Sequence, residues 1–525
     1  MATEKNDNQE IVKFADFSQM RSRLTPQEEK FEIRRRTIGF ILGPSLALAV
    51  YFTPFDGLQF EAHVLLSIMT LVAAWWMTEP LPIPVTSTLG PVLAVMAGIV
   101  SPKEAFAPFA DPLIFLFMGS FLLAQAMMVH GLDKRFAYSI LSMKWVGSSP
   151  KRILLALGLV TCFLSGWVSN TATTAMMFPI AMGLLYAIKD MHEAAGKKID
   201  LATYKYATGI MLMAAYAASV GGVLTPIGTP PNLIVVGLLD KLAGVKISFF
   251  QWMSWGIFAT VFYFGLVYIV LNRMFPADVS NIEGADKFIK ARRDSLGPWK
   301  QGERNAIIAF SVAIILWLAP GIISILYGTD APLLKIFEKH FSEATAAMFA
   351  GLLLFILPVD WKNRKFTLSW KDANEGIDWG TLLLFGGGLS LGVLMYKTGL
   401  SLYIGNVIVA ATGANSLVVM VAVFAILALV MSELTSHTAA TNMLAPLGIT
   451  TALSAGIDPV PVAVAVALSS SLGFMLPVST PPNAIVYGSG LIPITKMIRT
   501  GVIIDVIGIL AFTIPLVIFI VRWLI

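Results

Sequence analysis

Apolar stretches of about 20 residues, long enough to cross a bilayer core as a helix, recur from one end of this chain to the other. Thr37 to Tyr51, continuing to Pro54, is one; Trp255 to Leu271, Ile307 to Leu326 and Val502 to Ile520 are others. Hydrocarbon offers no water to backbone N–H and C=O groups, so such segments must bond internally, as helices do. The expected fold class is therefore all-α, a polytopic membrane protein with the lipid bilayer as its main partner. Composition agrees: only 13% of the 525 residues are charged, against roughly a quarter in soluble chains. The net charge of +5 reads as loop charge. No basic groove with interleaved aromatics appears, so no nucleic-acid partner is expected. The single cysteine, Cys162, excludes an intrachain disulfide and reads as a small apolar packer.

Lysine and arginine sort the loops. Clusters stand at Lys134, Arg135, Lys144, Lys151 and Arg152; at Lys189, Lys197, Lys198 and Lys205; at Lys287, Lys290, Arg292 and Arg293; and at Lys362, Arg364, Lys365 and Lys371. Ser401 to Ser432 has none. Basic loops stay in the cytoplasm. Placing every cluster inside requires a cytoplasmic N-terminus, eleven full spans and two re-entrant helical hairpins. The expected layout is a polar cytoplasmic tail over residues 1–36, ending in Arg34-Arg35-Arg36 and lacking a cleaved signal's apolar core. A first half, 37–275, follows, with an inward-opening hairpin at 150–186 and a broken helix at 206–240. A cytoplasmic connector, 276–304, is either a short amphipathic helix or a solvated linker. The second half, 305–525, carries an outward-opening hairpin at 400–456 and a broken helix at 460–488.

The halves repeat. Asp111-Pro-Leu-Ile-Phe-Leu-Phe-Met-Gly119 resembles Asp378-Trp-Gly-Thr-Leu-Leu-Leu-Phe-Gly386, and Ser169-Asn170-Thr171-Ala172-Thr173 resembles Ser436-His437-Thr438-Ala439-Ala440, both at an offset of 267 residues. Thr229-Pro230-Pro231-Asn232 recurs as Thr480-Pro481-Pro482-Asn483. With one hairpin opening inward and the other outward, the repeat is inverted, an architecture that places binding sites at broken helices near the membrane midplane.

The polar patches inside this apolar sequence carry the chemistry. Ser165 to Thr174 lies between two apolar helices. A turn there survives only when buried in protein or lining a wet cavity. Ser169 or Asn170 can cap the helix that follows. Its free amides then favour an anion, while the carbonyls ending the preceding helix favour a cation. Ordinary Ser/Thr packing between helices explains one such patch less well once Ser432 to Thr438 supplies a second. There Glu433 and His437 stand four apart, so one helical face can pair them unless the turn breaks it. A structural partner at the tip is the plainer reading of Glu433, since an intramembrane charge needs one. Each Pro-Pro-Asn segment must open its helix, because proline has no amide and blocks continuation. A plain proline kink is the bland alternative. No Walker loop, metal-spaced Cys/His cluster or nucleophile elbow appears, so no enzyme activity is expected. His130 and His192 read as solvated residues near loop ends.

At these motifs the sequence resembles the divalent anion/sodium symporter family, carriers of di- and tricarboxylates or sulfate, over about Phe60 to the C-terminus. The resemblance implies a homodimer in which a transport domain slides against a fixed scaffold. It assigns a first sodium to Ser165, Ser169, Asn170 and the Gly228 carbonyl. A second goes to Ser432, the Thr435 carbonyl, His437 and the Ser479 carbonyl. Substrate carboxylates fall to Ser169, Asn170, Thr171, Ser436, Thr438, Thr480 and Pro481. One departure stands out: His437 replaces the family's usual asparagine. Histidine titrates near neutrality, so His437 is expected to weaken or replace the second sodium.

The expected function is sodium-coupled symport of C4-dicarboxylates such as succinate, malate and fumarate, in a bacterial inner (plasma) membrane. A sodium-independent or proton-coupled exchanger and a sodium/sulfate symporter are the near alternatives. A channel would need a continuous polar pore, and two isolated polar tips do not make one.

Overall fold

The computed structural model describes residues 26–194, 196, 199–282, 284–413 and 416–521. Lys197, Lys198 and the first 25 residues of the expected tail lie outside them. Among the described residues the only strands form a small hairpin, Pro358–Asp360 with Lys365–Phe366; the remaining elements are helices. Among the described residues eight helices are long and apolar enough to cross a membrane, and four shorter apolar helices accompany them.

The first helix, Pro26–Phe52, takes in Arg34, Arg35 and Arg36, residues the sequence assigns to the polar tail. The reason is electrostatic. Arg35 pairs with Glu32 one turn earlier at 3.0 Å and reaches Glu79 at 3.5 Å. Glu79 caps the end of the second helix, Phe60–Thr78, so the basic run is held in helical form against its neighbour.

Two helices form the interior. In Lys205–Gly222 every residue from Tyr206 onward is buried, and in Pro459–Ser470 all are. A helix surrounded by protein need not be amphipathic, and both carry several alanines and at least one serine, with glycines as well in Lys205–Gly222, small residues that let neighbouring backbones approach. Lys205–Gly222 packs on Pro150–Ser165 and Asn170–Ala194; Pro459–Ser470 packs on Leu417–Leu434 and His437–Ser454. These four partners make two helical hairpins. The second arm of the first hairpin runs on to Ala194, past the expected 186. In the second, Leu400–Thr412 is a separate helix preceding the arms. After each interior helix the chain breaks, then resumes as a short helix, Pro230–Leu238 or Pro481–Tyr487. Each short helix crosses over: Pro230–Leu238 packs on His437–Ser454, and Pro481–Tyr487 on Asn170–Ala194.

The polar break after Met274 contains the helix Ala285–Asp294, the amphipathic alternative of the two considered. A buried ion pair ties its exit down. Arg135, in the helix Leu132–Leu141, donates to Glu303 at 2.9 Å and to the carbonyls of Leu296, Gly297 and Pro298 at 3.0–3.3 Å. Its guanidinium also lies 4.8 Å from the Trp299 ring centre. His130 is not a free loop residue: its Nε2 lies 2.7 Å from the Thr367 carbonyl, partly buried. His192 likewise sits 2.8 Å from the carbonyl of Ile188.

Breaking one partner of a buried pair strands the other, at about 3–5 kcal/mol. Arg135→Ala should therefore lower the thermal midpoint of the detergent-purified protein by several degrees, with Arg135→Lys intermediate. A wild-type midpoint for Arg135→Ala in a static-light-scattering or fluorescence melt would contradict the assignment.

Candidate functional site

Both hairpin tips are built by the same capping chemistry. Helix Pro150–Ser165 ends, residues 166–169 turn, and Asn170–Ala194 begins. The Ser169 hydroxyl accepts the N–H of Ala172 at 3.3 Å. In the second tip Ser436 accepts the N–H of Ala439 at 3.2 Å. Serine satisfies one orphan amide in each case, and the remaining first-turn amides have no carbonyl within their own helix. The turn at Thr435 and Ser436 also separates Glu433 from His437. Helical i,i+4 pairing does not form; Glu433 instead accepts the Met475 N–H at 2.9 Å and the hydroxyl of Ser479.

The two breaks are held open by matching asparagines. The Asn232 amide donates to the carbonyls of Gly222 (2.9 Å) and Thr225 (2.8 Å). The Asn483 amide donates to Gly473 (2.9 Å) and Leu476 (3.0 Å). Thr229 and Thr480 adopt extended backbone, with φ of −148° and −157°, and the proline after each opens the short helix. Proline at that position loses nothing, since its missing N–H would be an orphan.

Tip and break meet at a glycine in each copy. A Cβ on Gly222 would stand 2.3 Å from Asn170 Oδ1, and one on Gly473 would stand 2.8 Å from His437 Nε2. Gly473 also has φ of +114°, a region that side chains disfavour. The Asn170 and His437 side chains thus occupy equivalent places against the opened backbone.

These four pieces converge on one cavity of about 140 Å³. Its walls include Ser169, Asn170 and Thr171 from the first tip, Ser436, His437 and Thr438 from the second, Gly228 to Pro230 from one break and Ser479 to Pro481 from the other. Every residue assigned to substrate carboxylates therefore lines a single space. Ser165, Ser432 and Thr435 do not reach it. Ser165 is buried behind the first tip and donates to Asn170 Oδ1 at 2.7 Å. Ser432 donates to the Ser470 carbonyl at 2.6 Å, and the Thr435 hydroxyl to Met431 at 2.7 Å.

The first sodium set is a fit for a cation. Its atoms are neutral oxygens, and Asn232 Oδ1 lies buried nearby without a partner among the described residues. The second set fits less simply, because His437 presents a buried, unpartnered Nε2 where hard cations favour oxygen.

Four lining residues lie outside the tip and break motifs: Phe121, and Phe117, Asp378 and Thr381, which the sequence showed only as members of the repeat and not as site residues. Asp378 caps its helix through the N–H of Thr381 at 3.0 Å and is exposed at the cavity mouth. Its repeat partner Asp111 caps the N–H of Leu113 at the same distance, but is buried against Lys241 at 3.0 Å. The repeat fixed the shared capping role; the different surroundings come from elements distant in sequence. Among the described residues no lysine or arginine lines the cavity.

Comparison with known proteins places this geometry in context. The fold is similar to that of the Alcanivorax borkumensis YdaH transporter, with a TM-score of 0.54 at 16% identity over 94% of this chain and 98% of that one. It is equally similar to Neisseria gonorrhoeae MtrF, of a class of antimetabolite efflux pumps (TM-score 0.54, 15% identity, 91% and 94% coverage). In sequence the chain is 34% identical over 478 residues to the sodium-dependent dicarboxylate transporter SdcS of Staphylococcus saprophyticus, covering 90% of this chain and 89% of that one. The Staphylococcus aureus protein of the same name is 34% identical over 477 residues, covering 90% and 88%. Residues 38–525 match the model of the sodium:sulfate symporter transmembrane region, and the chain belongs to that family of membrane transporters.

Proposed function

We propose that this protein is a sodium-coupled symporter of C4-dicarboxylates such as succinate, malate and fumarate. One observation carries the reading: two hairpin tips, each with a capped helix N-terminus, face one cavity with no lysine or arginine in its wall among the described residues. Helix N-termini attract anions, and two of them suit the two carboxylates of one substrate. A dianion in that cavity still lacks full counter-charge, and Asp378 at the mouth adds repulsion. An accompanying cation supplies the balance, which is the physical basis of coupling. The names of the staphylococcal relatives, sodium-dependent dicarboxylate transporters, support the same pairing of ion and substrate.

The proposed working unit is the pair of hairpins with the two broken helices. Their crossed packing, each short helix on the opposite hairpin, supports movement as one body in an elevator cycle within a homodimer. The exposed Asp378 lies close in sequence to Lys362, Arg364, Lys365 and Lys371. In the cytoplasmic-N-terminus orientation of a plasma-membrane protein, the cavity then opens inward.

A second reading, sodium-independent exchange, is favoured by a single feature, the His437 imidazole at the second tip. Its Nε2 packs on Gly473, in the place where Asn170 Oδ1 meets Gly222.

In proteoliposomes, an inward sodium gradient should drive concentrative uptake of labelled succinate. Equal uptake without sodium would overturn the symport reading, and counterflow in sodium-free buffer would establish the exchanger. Sulfate should compete weakly; strong competition would shift the substrate assignment. Losing a hydroxyl that bonds a carboxylate costs about 1.5–3 kcal/mol. Ser169→Ala and Ser436→Ala should therefore each raise the succinate half-saturation roughly ten- to hundredfold, at about 1.4 kcal/mol per tenfold. A value near wild type in either variant would remove that serine from the site. His437→Asn should lower the sodium half-saturation of uptake, and superimposable sodium titrations of variant and wild type would exclude His437 from the cation response.

A further inference from the structure

Part of the cavity wall belongs to neither the tips nor the breaks. Phe117 and Phe121 come from the helix Pro112–His130, and Asp378 and Thr381 stand at the start of the helix Trp379–Lys397. Phe117 and Phe121 are four apart, on one helical face, with ring centres 5.9 Å from each other. Neither ring offers an anion a hydrogen-bond donor. Thr381 has two donors, and both are spent on Asp378: its N–H goes to Oδ1 at 3.0 Å and its hydroxyl to Oδ2 at 2.6 Å. This part of the wall therefore presents apolar rings, a carboxylate and no free side-chain donor.

Capping alone does not call for that carboxylate. Serine, threonine and asparagine satisfy a helix start without a charge, and Ser169 and Ser436 do so at the two tips of the same cavity. Where the repeat puts Asp111 in the matching role, Lys241 lies 3.0 Å from its Oδ2 and balances the charge. Asp378 is exposed and has no such partner among the described residues. A carboxylate in contact with water is ionised at neutral pH. Asp378 thus sets a fixed negative charge in the wall of a cavity whose two helix N-termini favour anions.

The consequence depends on how many charges the anion carries. Two carboxylates can each take one helix N-terminus. A third is left with the rest of the wall, where it meets aromatic rings, no free side-chain donor and a like charge.

We propose that Asp378 is a specificity-determining residue: it lets the cavity hold dianions and disfavours trianionic tricarboxylates of the citrate type, while Phe117 and Phe121 face the carbon chain that joins the two carboxylates. The inference rests on the dicarboxylate reading above and narrows it to the charge of the substrate.

The test uses the purified full chain in detergent, where no membrane separates the two sides of the protein. Asp378→Asn and Asp378→Ser each keep a capping oxygen for the Thr381 N–H and remove the charge. The dissociation constants of succinate and citrate are measured by calorimetry at one fixed sodium concentration and at an alkaline pH that fully ionises citrate. Their ratio cancels any effect on sodium that both anions share. The wild type should favour succinate, and both variants should shrink the citrate-to-succinate ratio about three- to tenfold, the scale of one added unit charge at partly screened range. Raising the ionic strength with choline chloride should shrink the wild-type ratio toward that of the variants, because salt screens an exposed charge. That titration needs no variant, so it stands even where a substitution harms folding. A wild-type ratio in both variants, or a wild type that binds citrate as tightly as succinate, overturns the proposal. A wild-type ratio that does not respond to salt assigns Asp378 to shape instead of charge and also overturns it. A wild type that binds neither anion with sodium present sinks the dicarboxylate reading itself, and this inference with it.

Discussion

A helix broken inside a membrane strands carbonyls that water cannot reach, and each such group costs several kcal/mol unless it finds a donor. Here the donor shared by both breaks is a side-chain amide, beside the Trp252 indole on Val223 in the first and the Tyr216 hydroxyl on Phe474 in the second. Asn232 and Asn483 each bond two carbonyls, three residues apart, on the far side of the opening. The prolines force the chain to open; the asparagines make the opened state stable. Without them the backbone would be driven back toward helix, and the extended Thr229 and Thr480 would no longer stand at the cavity wall. The close approach of tip to break at Gly222 and Gly473 depends on the same geometry, because only a fixed opening can present glycine to the side chains of Asn170 and His437.

Much of this was legible in the sequence, for a reason rooted in the solvent. Lipid leaves so few options for polar backbone that a Ser/Asn/Thr cluster or a Pro-Pro-Asn run within apolar sequence must mark a turn or a break, and its repetition at a constant offset marks a pair. What composition could not show was which distant elements would complete the wall. Phe117 and Phe121 look like ordinary membrane-helix residues, and their place in the cavity follows from tertiary packing alone. Asp378 was visible only as one member of a repeat, and the repeat gave its capping role without its exposure. Glu433 was known to need a partner, and the ones it finds, the Met475 N–H and the Ser479 hydroxyl, could be read only from the fold. The first helix shows the opposite failure: local polarity suggested a tail, and pairing of Arg35 with Glu32 and Glu79 made it helix.

The two copies of the site solve one electrostatic problem in different ways. Among the described residues the wall of the cavity has helix ends and hydroxyls but no lysine or arginine, so it attracts an anion without neutralising it. Such a site binds strongly only when a mobile cation is present, and it releases readily once that cation leaves. A lysine in the wall would hold the anion whether or not the ion gradient existed, and the two flows would separate. Leaving the charge out is therefore what links them. In the first copy the side chains at tip and break, Ser165 and Asn170, are neutral, and Ser165 donates to Asn170 Oδ1. In the second, an imidazole replaces the amide oxygen, and the buried Glu433 accepts from the opened backbone at Met475. The two tips of the repeat are thus chemically unequal, an amide at Asn170 against an imidazole at His437, each packed on the glycine of its own break.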